Sequence, residues 1–214
     1  MEIGSMLENT RTVQTECSSQ RKIVNTILIS ASGICMGAAS KALDETDHNA
    51  LPTVMQALDI TNFLGRFAVW ILIAVCLSVY SSSAKRAALH VFLFFAGMVS
   101  SYYLYSAFIA GFFPLHYALI WCGFTVISPL LACVCWYARG SGWAAILISA
   151  GILGVLLAQA VFLFQGIRIA HIPEVLVWLA ALWVLRRERR EFAIMVGISV
   201  PVAIVCQLLL PYWG

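Results

Sequence analysis

Long apolar runs, separated by short polar or turn-forming segments, set the pattern of this chain. Residues 23–43, 60–80, 87–110, 115–137, 143–164, 169–185 and 192–210 are each dominated by aliphatic and aromatic side chains. Apolar runs of about 20 residues satisfy their own backbone hydrogen bonds as helices and match a hydrocarbon core about 30 Å thick. The alternation that marks a membrane β-barrel is absent. The pattern predicts an all-α, polytopic transmembrane helical bundle of seven spans, one domain over 21–214, behind a polar cytoplasmic tail at 1–20. The sixth run is short: 172–185 supplies about 21 Å at helical rise, so it spans only by drawing in residues from Ile167 onward.

Several local signals refine this layout. Arg21-Lys22 precede the first run, but Asn25, Thr26, Ser30 and Ser32 interrupt it and the tail before it is long. That favours a first span over a cleaved signal peptide. Pro52 can open a helix, and Leu51, Val54, Met55 and Leu58 repeat at helical spacing, so 51–58 reads as a short helix on the outer surface or as an early extension of the second span. Ser128-Pro129 should bend the fourth span, because proline withholds a backbone donor.

Composition agrees with this class. The chain of 214 residues is 62% hydrophobic and 11% charged, against about 45–50% and 25% in soluble domains. The net charge of +3 is modest and no basic soluble domain is present, so nucleic acid is not an expected partner. Seven cysteines form no C-x-x-C pair and read as small apolar residues.

The placement of charge orients the bundle. Arg186, Arg187, Arg189 and Arg190 lie within five residues, and short loops rich in Lys and Arg stay cytoplasmic. Threading from this cluster places Arg11, Arg21, Lys22, Lys85, Arg86 and Arg139 on the same side, which makes ten of the 13 basic residues. Asp44, Glu45, Asp47, Asp59 and Glu174 fall opposite. The expected topology is N-terminus inside and C-terminus outside.

Candidate chemistry is sparse. No H-E-x-x-H, Gly-rich phosphate loop, G-x-S-x-G or paired aspartate motif occurs, so neither a catalytic residue, a metal nor a cofactor is assigned. Polar residues do recur in the outer half of the spans. Asp59, Asn62 and Arg66 share one helical face, and Tyr102, Gln159 and Gln207 fall at comparable depth. Together they form a candidate outward-facing polar pocket, with His116, Trp121, Arg168, His171 and Glu174 as its rim. An ionisable group at that depth is costly unless it is paired or lines a wet cavity. The competing expectation is that Arg66 snorkels to the headgroups while each Gln bonds a neighbouring helix. Small residues at Gly33 and Gly37, and at Ala150, Gly154 and Ala158, make faces on which a neighbouring helix or a partner subunit can pack closely.

The segment Lys85-Arg86-Ala87-Ala88 leading into VFLFFAGMVSSYYLYSAFIAGFFP, followed by ISPLLA and WYARGSGW, resembles small multi-span membrane proteins of Gram-positive bacteria, over about residues 59–165. That group has no established activity. The resemblance implies a bacterial cytoplasmic membrane and no site residues. The leading functional expectation is a transporter for a small solute or lipid, or the substrate-binding membrane component of one. A structural or regulatory membrane subunit and an intramembrane lipid-modifying enzyme are the alternatives.

Overall fold

The computed structural model describes residue 11, residues 18–161 and residues 168–209, and every regular element among them is helical. In chain order the α-helices are α1 (Ser19–Asp44), α2 (Thr53–Ala57), α3 (Ile60–Gly65), α4 (Phe67–Val79), α5 (Ala84–Phe108), α6 (Leu115–Trp136), α7 (Gly142–Ala160), α8 (Ile172–Val184) and α9 (Arg189–Leu209), and short 3-10 helices lie at His48–Ala50, Tyr137–Arg139 and Ile169–His171. Cys17, the end of the fifth apolar run and the Pro211-Tyr212-Trp213 terminus lie outside the described residues. Helices α1, α5, α6, α7 and α9 are long and apolar enough to cross a membrane. Helices α4 and α8 are apolar but have 13 residues each, about 20 Å of rise. The chain is an all-α helical bundle and an integral membrane protein.

The second apolar run departs from the expected single helix. It divides at Arg66, whose backbone is extended (φ −88°, ψ 162°), so that α3 and α4 are separate pieces. Gly65 weakens the helix just before the break. The Arg66 amide still bonds back to the Asn62 and Phe63 carbonyls at 3.1 and 3.2 Å. Upstream, Asp59 sits in the left-handed region (φ 50°) between α2 and α3, a conformation that Asp tolerates better than most residues.

Proline is accommodated differently in α6, which continues through Pro129. The missing proline donor would have served the Thr125 carbonyl, and the Ser128 hydroxyl donates to that oxygen instead at 2.8 Å. At the end of α5 the chain turns through Gly111, whose φ of 77° favours a residue without a β-carbon.

Packing centres on α4. Its Ala68, Val75 and Val79 enter a core with Leu153 and Leu156 of α7, Val177 and Ala181 of α8, and Met195 of α9. Trp70 leaves the other side of α4 to meet Phe94, Met98 and Tyr103 of α5 and Ala118 of α6. Two close helix pairs flank this centre. A β-carbon at Gly33 or Gly37 of α1 would be driven into the backbone carbonyls of Phe94 or Met98 on α5. One at Gly154 of α7 would meet Val202 and the Ser199 carbonyl on α9. Ala150 and Ala158 are also buried, so both small-residue faces pair helices of this chain.

Contacts define two polar ends. At one, Arg187 donates to the carbonyls of Ala138 and Gly140, and Arg11 donates to those of Val79 and Trp136. These arginines satisfy carbonyls at helix ends that have no intrahelical donor. Arg86 joins them by donating to the Lys22 carbonyl at 3.0 Å. The opposite end holds Lys41, Asp44, Glu45, Asp59, Arg66, His171 and Glu174 in two clusters.

Candidate functional site

The break between α3 and α4 releases Arg66 from helical geometry and turns its guanidinium across to the start of α8. Arg66 Nη2 donates to Asp59 Oδ2 at 3.1 Å, and Nε donates to the Asn62 carbonyl at 3.3 Å. Nη1 lies 3.1 Å from His171 Nδ1. A guanidinium can only donate, so this Nδ1 must accept and cannot carry a proton, which makes the imidazole neutral. Asn62 Nδ2 in turn donates to Asp59 Oδ1 at 2.8 Å and fixes that carboxylate.

Glu174 completes the cluster from the first turn of α8, where a helix N-terminus favours negative charge. Its Oε1 is 3.1 Å from Arg66 Nε, as an ion pair lacking hydrogen-bond alignment. The side chain is 1% exposed, and neither carboxylate oxygen has a hydrogen-bond partner among the described residues. Arg66 and Asp59 are more open, at 15% and 25%. Burial thus increases from Asp59 through Arg66 to Glu174.

Charge counting makes this cluster unusual. Two carboxylates share one guanidinium, and the adjacent histidine is neutral. With both carboxylates counted as ionised, Asp59, Arg66 and Glu174 carry a formal charge of −1 between them. Among the described residues, no group of three or more His, Cys, Asp or Glu side chains could hold a metal ion.

The remaining pocket candidates lie elsewhere. Tyr102 donates to Asp44 Oδ2 at 3.0 Å, beside buried Lys41, which pairs with Asp44 at 2.9 Å and with Glu45. The Lys41 ammonium also lies 4.5 Å from the Phe112 ring centroid, so an aromatic face helps hold it. Gln207 donates to the Ala158 carbonyl at 2.7 Å and to that of Val161, tying α9 to the end of α7. Gln159 donates to its own helix at Val155, 3.3 Å away, and its amide oxygen has no partner among the described residues. Trp121 stacks on Phe67 at 5.0 Å, while His116 and Arg168 are exposed. The structure therefore brings Asp59, Asn62 and Arg66 together with His171 and Glu174, and does not bring Tyr102, Gln159, Gln207, His116 or Trp121 to them.

Two polar groupings escape a reading of the sequence. Lys41 with Asp44 and Glu45 was accessible in principle, since spacings of three and four place those side chains together on α1. His90 was not. It is buried against Ser81, Thr26 and Arg86, where three separate segments converge. No protein-family model, curated protein or solved structure matches this chain.

Proposed function

We propose that this membrane protein is a carrier for a small cationic solute, with the Asp59–Arg66–Glu174 cluster as its binding centre. The carrying observation is the buried Glu174 carboxylate, which shares its one guanidinium with a second carboxylate. A cation entering past the more open Asp59 would gain a full charge partner, and Asn62 and His171 would hold Arg66 and Asp59 in place. The helix break at Arg66 supports the reading, since carriers often build ion sites at interrupted helices. The membrane we propose is the bacterial cytoplasmic membrane, consistent with the sequence resemblance over 59–165. The topology we propose counts α4 and α8 as spans, which makes seven crossings, with the basic end inside and the cluster toward the outer face.

The functional test is thermal stabilisation of the purified protein in neutral detergent against a panel of small amines, quaternary ammonium solutes and neutral analogues. Stabilisation by a cationic solute is expected in the wild type, with loss in Glu174→Gln and weakening in Arg66→Lys. Lysine keeps the charge but lacks the planar fork that spans two carboxylates. Asp59→Asn should weaken it less, because Asp59 is nearer water. An Arg66→Lys protein with wild-type ligand response would leave Arg66 as an anchor and remove the binding centre.

Topology is tested separately by cysteine labelling in a background lacking the native cysteines. With a membrane-impermeant reagent on intact cells, Asp47→Cys should label and Glu188→Cys should not. The reverse pattern, or labelling of both, would sink the seven-crossing arrangement.

A further inference from the structure

A cavity of about 340 Å³ opens at the basic end, far from the Arg66 cluster, between α1, the end of α4 and the start of α5. That volume lies in the ~300–1,000 Å³ range of small-ligand sites. Its polar wall carries Lys22, Asn25, Ser81, Ser82, Arg86 and His90. Leu28, Ile29 and Leu77 form the apolar wall. The cavity is therefore two-faced, with cations and hydroxyls on one side and aliphatic side chains on the other.

The polar wall is organised rather than incidental. Arg86 Nη2 donates to the Lys22 carbonyl at 3.0 Å and lies 3.3 Å from His90 Nε2. Since the guanidinium donates, Nε2 accepts, and the proton on Nδ1 is directed to Ser81 Oγ at 3.1 Å. The Ser81 hydroxyl donates in turn to the Leu77 carbonyl at 2.7 Å. This chain fixes one tautomer of a buried histidine and one placement of the arginine. Arg86 forms no ion pair with a carboxylate among the described residues, and most of its five donors remain for another acceptor.

We propose that this cavity binds a phosphate-bearing anion, with Arg86 as the principal cation and His90 as its positioning residue. The shared chemistry is a tetrahedral oxyanion, which a guanidinium holds through parallel hydrogen bonds. The apolar wall points to a lipid headgroup as the source. Leu28 lines the cavity and is also 61% exposed on the outer face of α1, beside Ile27 at 61% and Val24 at 52%, so the cavity opens sideways where acyl chains would lie. Basic pockets between helices at the cytoplasmic leaflet suit anionic headgroups. The site is independent of the cluster at the other end.

The test is native mass spectrometry of the protein in neutral detergent, titrated with phosphatidylglycerol, with phosphatidylcholine, and with inorganic phosphate as competitor. One phosphatidylglycerol should bind about tenfold more tightly than phosphatidylcholine, and Arg86→Gln should remove that preference. Asn25→Trp, which fills the rim without touching the Arg86–His90 bonds, should remove it too and covers the case in which Arg86→Gln does not fold. Arg190→Gln, an exposed change of equal charge, should leave the preference intact. Inorganic phosphate that displaces the lipid, with the same dependence on Arg86, would identify a soluble phosphate as the source within the same site. Equal binding of both lipids in the wild type, equal loss in Arg190→Gln, or a folded Asn25→Trp that binds like the wild type would overturn the proposal.

Discussion

Arg66→Leu is expected to lower the unfolding free energy by about 3–5 kcal/mol, the cost typical of removing one partner of a buried ion pair. The expectation follows from geometry. Asp59 and Glu174 both lie 3.1 Å from this one guanidinium, and Glu174 is 1% exposed. Removal leaves two carboxylates facing an apolar side chain. The double variant Arg66→Leu, Glu174→Leu should recover the part of the loss owed to Glu174, because a buried pair replaced by apolar groups is often close to neutral, leaving only the more open Asp59 without its guanidinium. The cycle is measured by equilibrium unfolding in mixed micelles, with the coupling term isolating the pair. A loss under about 1 kcal/mol for Arg66→Leu would match an exposed ion pair and would show that Arg66 simply reaches the headgroups.

Gly33→Ala and Gly37→Ala should each destabilise by about 1–3 kcal/mol, the range for forcing extra volume into a packed contact, and more when combined. The added methyl would meet a backbone carbonyl at both positions, so no side chain can move aside to admit it and α1 must separate from α5. Gly123→Ala and Gly151→Ala are the matched controls. Neither would meet anything within 4 Å, and alanine improves helix propensity by about 1 kcal/mol. Melting temperatures in detergent should fall for the first pair and hold or rise for the second. Uniform behaviour of all four would mean that α1 does not dock on α5 as described.

Helical class and the position of the long spans were legible in the sequence, because a run of apolar side chains carries its own length and its own hydrogen bonds. The break at Arg66 was not. Gly65 is tolerated inside many helices, and the carboxylates that hold Arg66 at the break are Asp59 and Glu174, the latter more than 100 positions away. The shared face of Asp59, Asn62 and Arg66 was visible as spacing, yet a continuous helix would have aimed it differently. Asp59 instead caps the cluster from a left-handed residue outside α3. His171 and Glu174 read as rim residues, and the helical segment starts at Ile169, where the sixth run was expected to begin. What the spacing did not show is that this start meets Arg66. Tyr102, Gln159 and Gln207 depend on which helices are neighbours, and hydrophobicity does not encode that. The pairing of α1 with α5 takes Tyr102 to Asp44, and that of α7 with α9 takes Gln207 to the α7 carbonyls.

The shortness of α8 has a consequence for the surrounding lipid. Leu176, Leu179 and Trp183 are 60%, 48% and 68% exposed along it. The 13 residues of α8 supply about 20 Å of rise, against a hydrocarbon core near 30 Å thick. Under the proposed seven crossings, lipids beside α8 would have to compress or tilt to keep their tails off its polar ends, while lipids beside α6, with 22 residues, would not. The bilayer would then be unevenly thick around the perimeter of the protein. The strain would be small with short or unsaturated chains and would grow with chain length. A dip at the α8 side would bring water closer to Glu174, in the first turn of that helix.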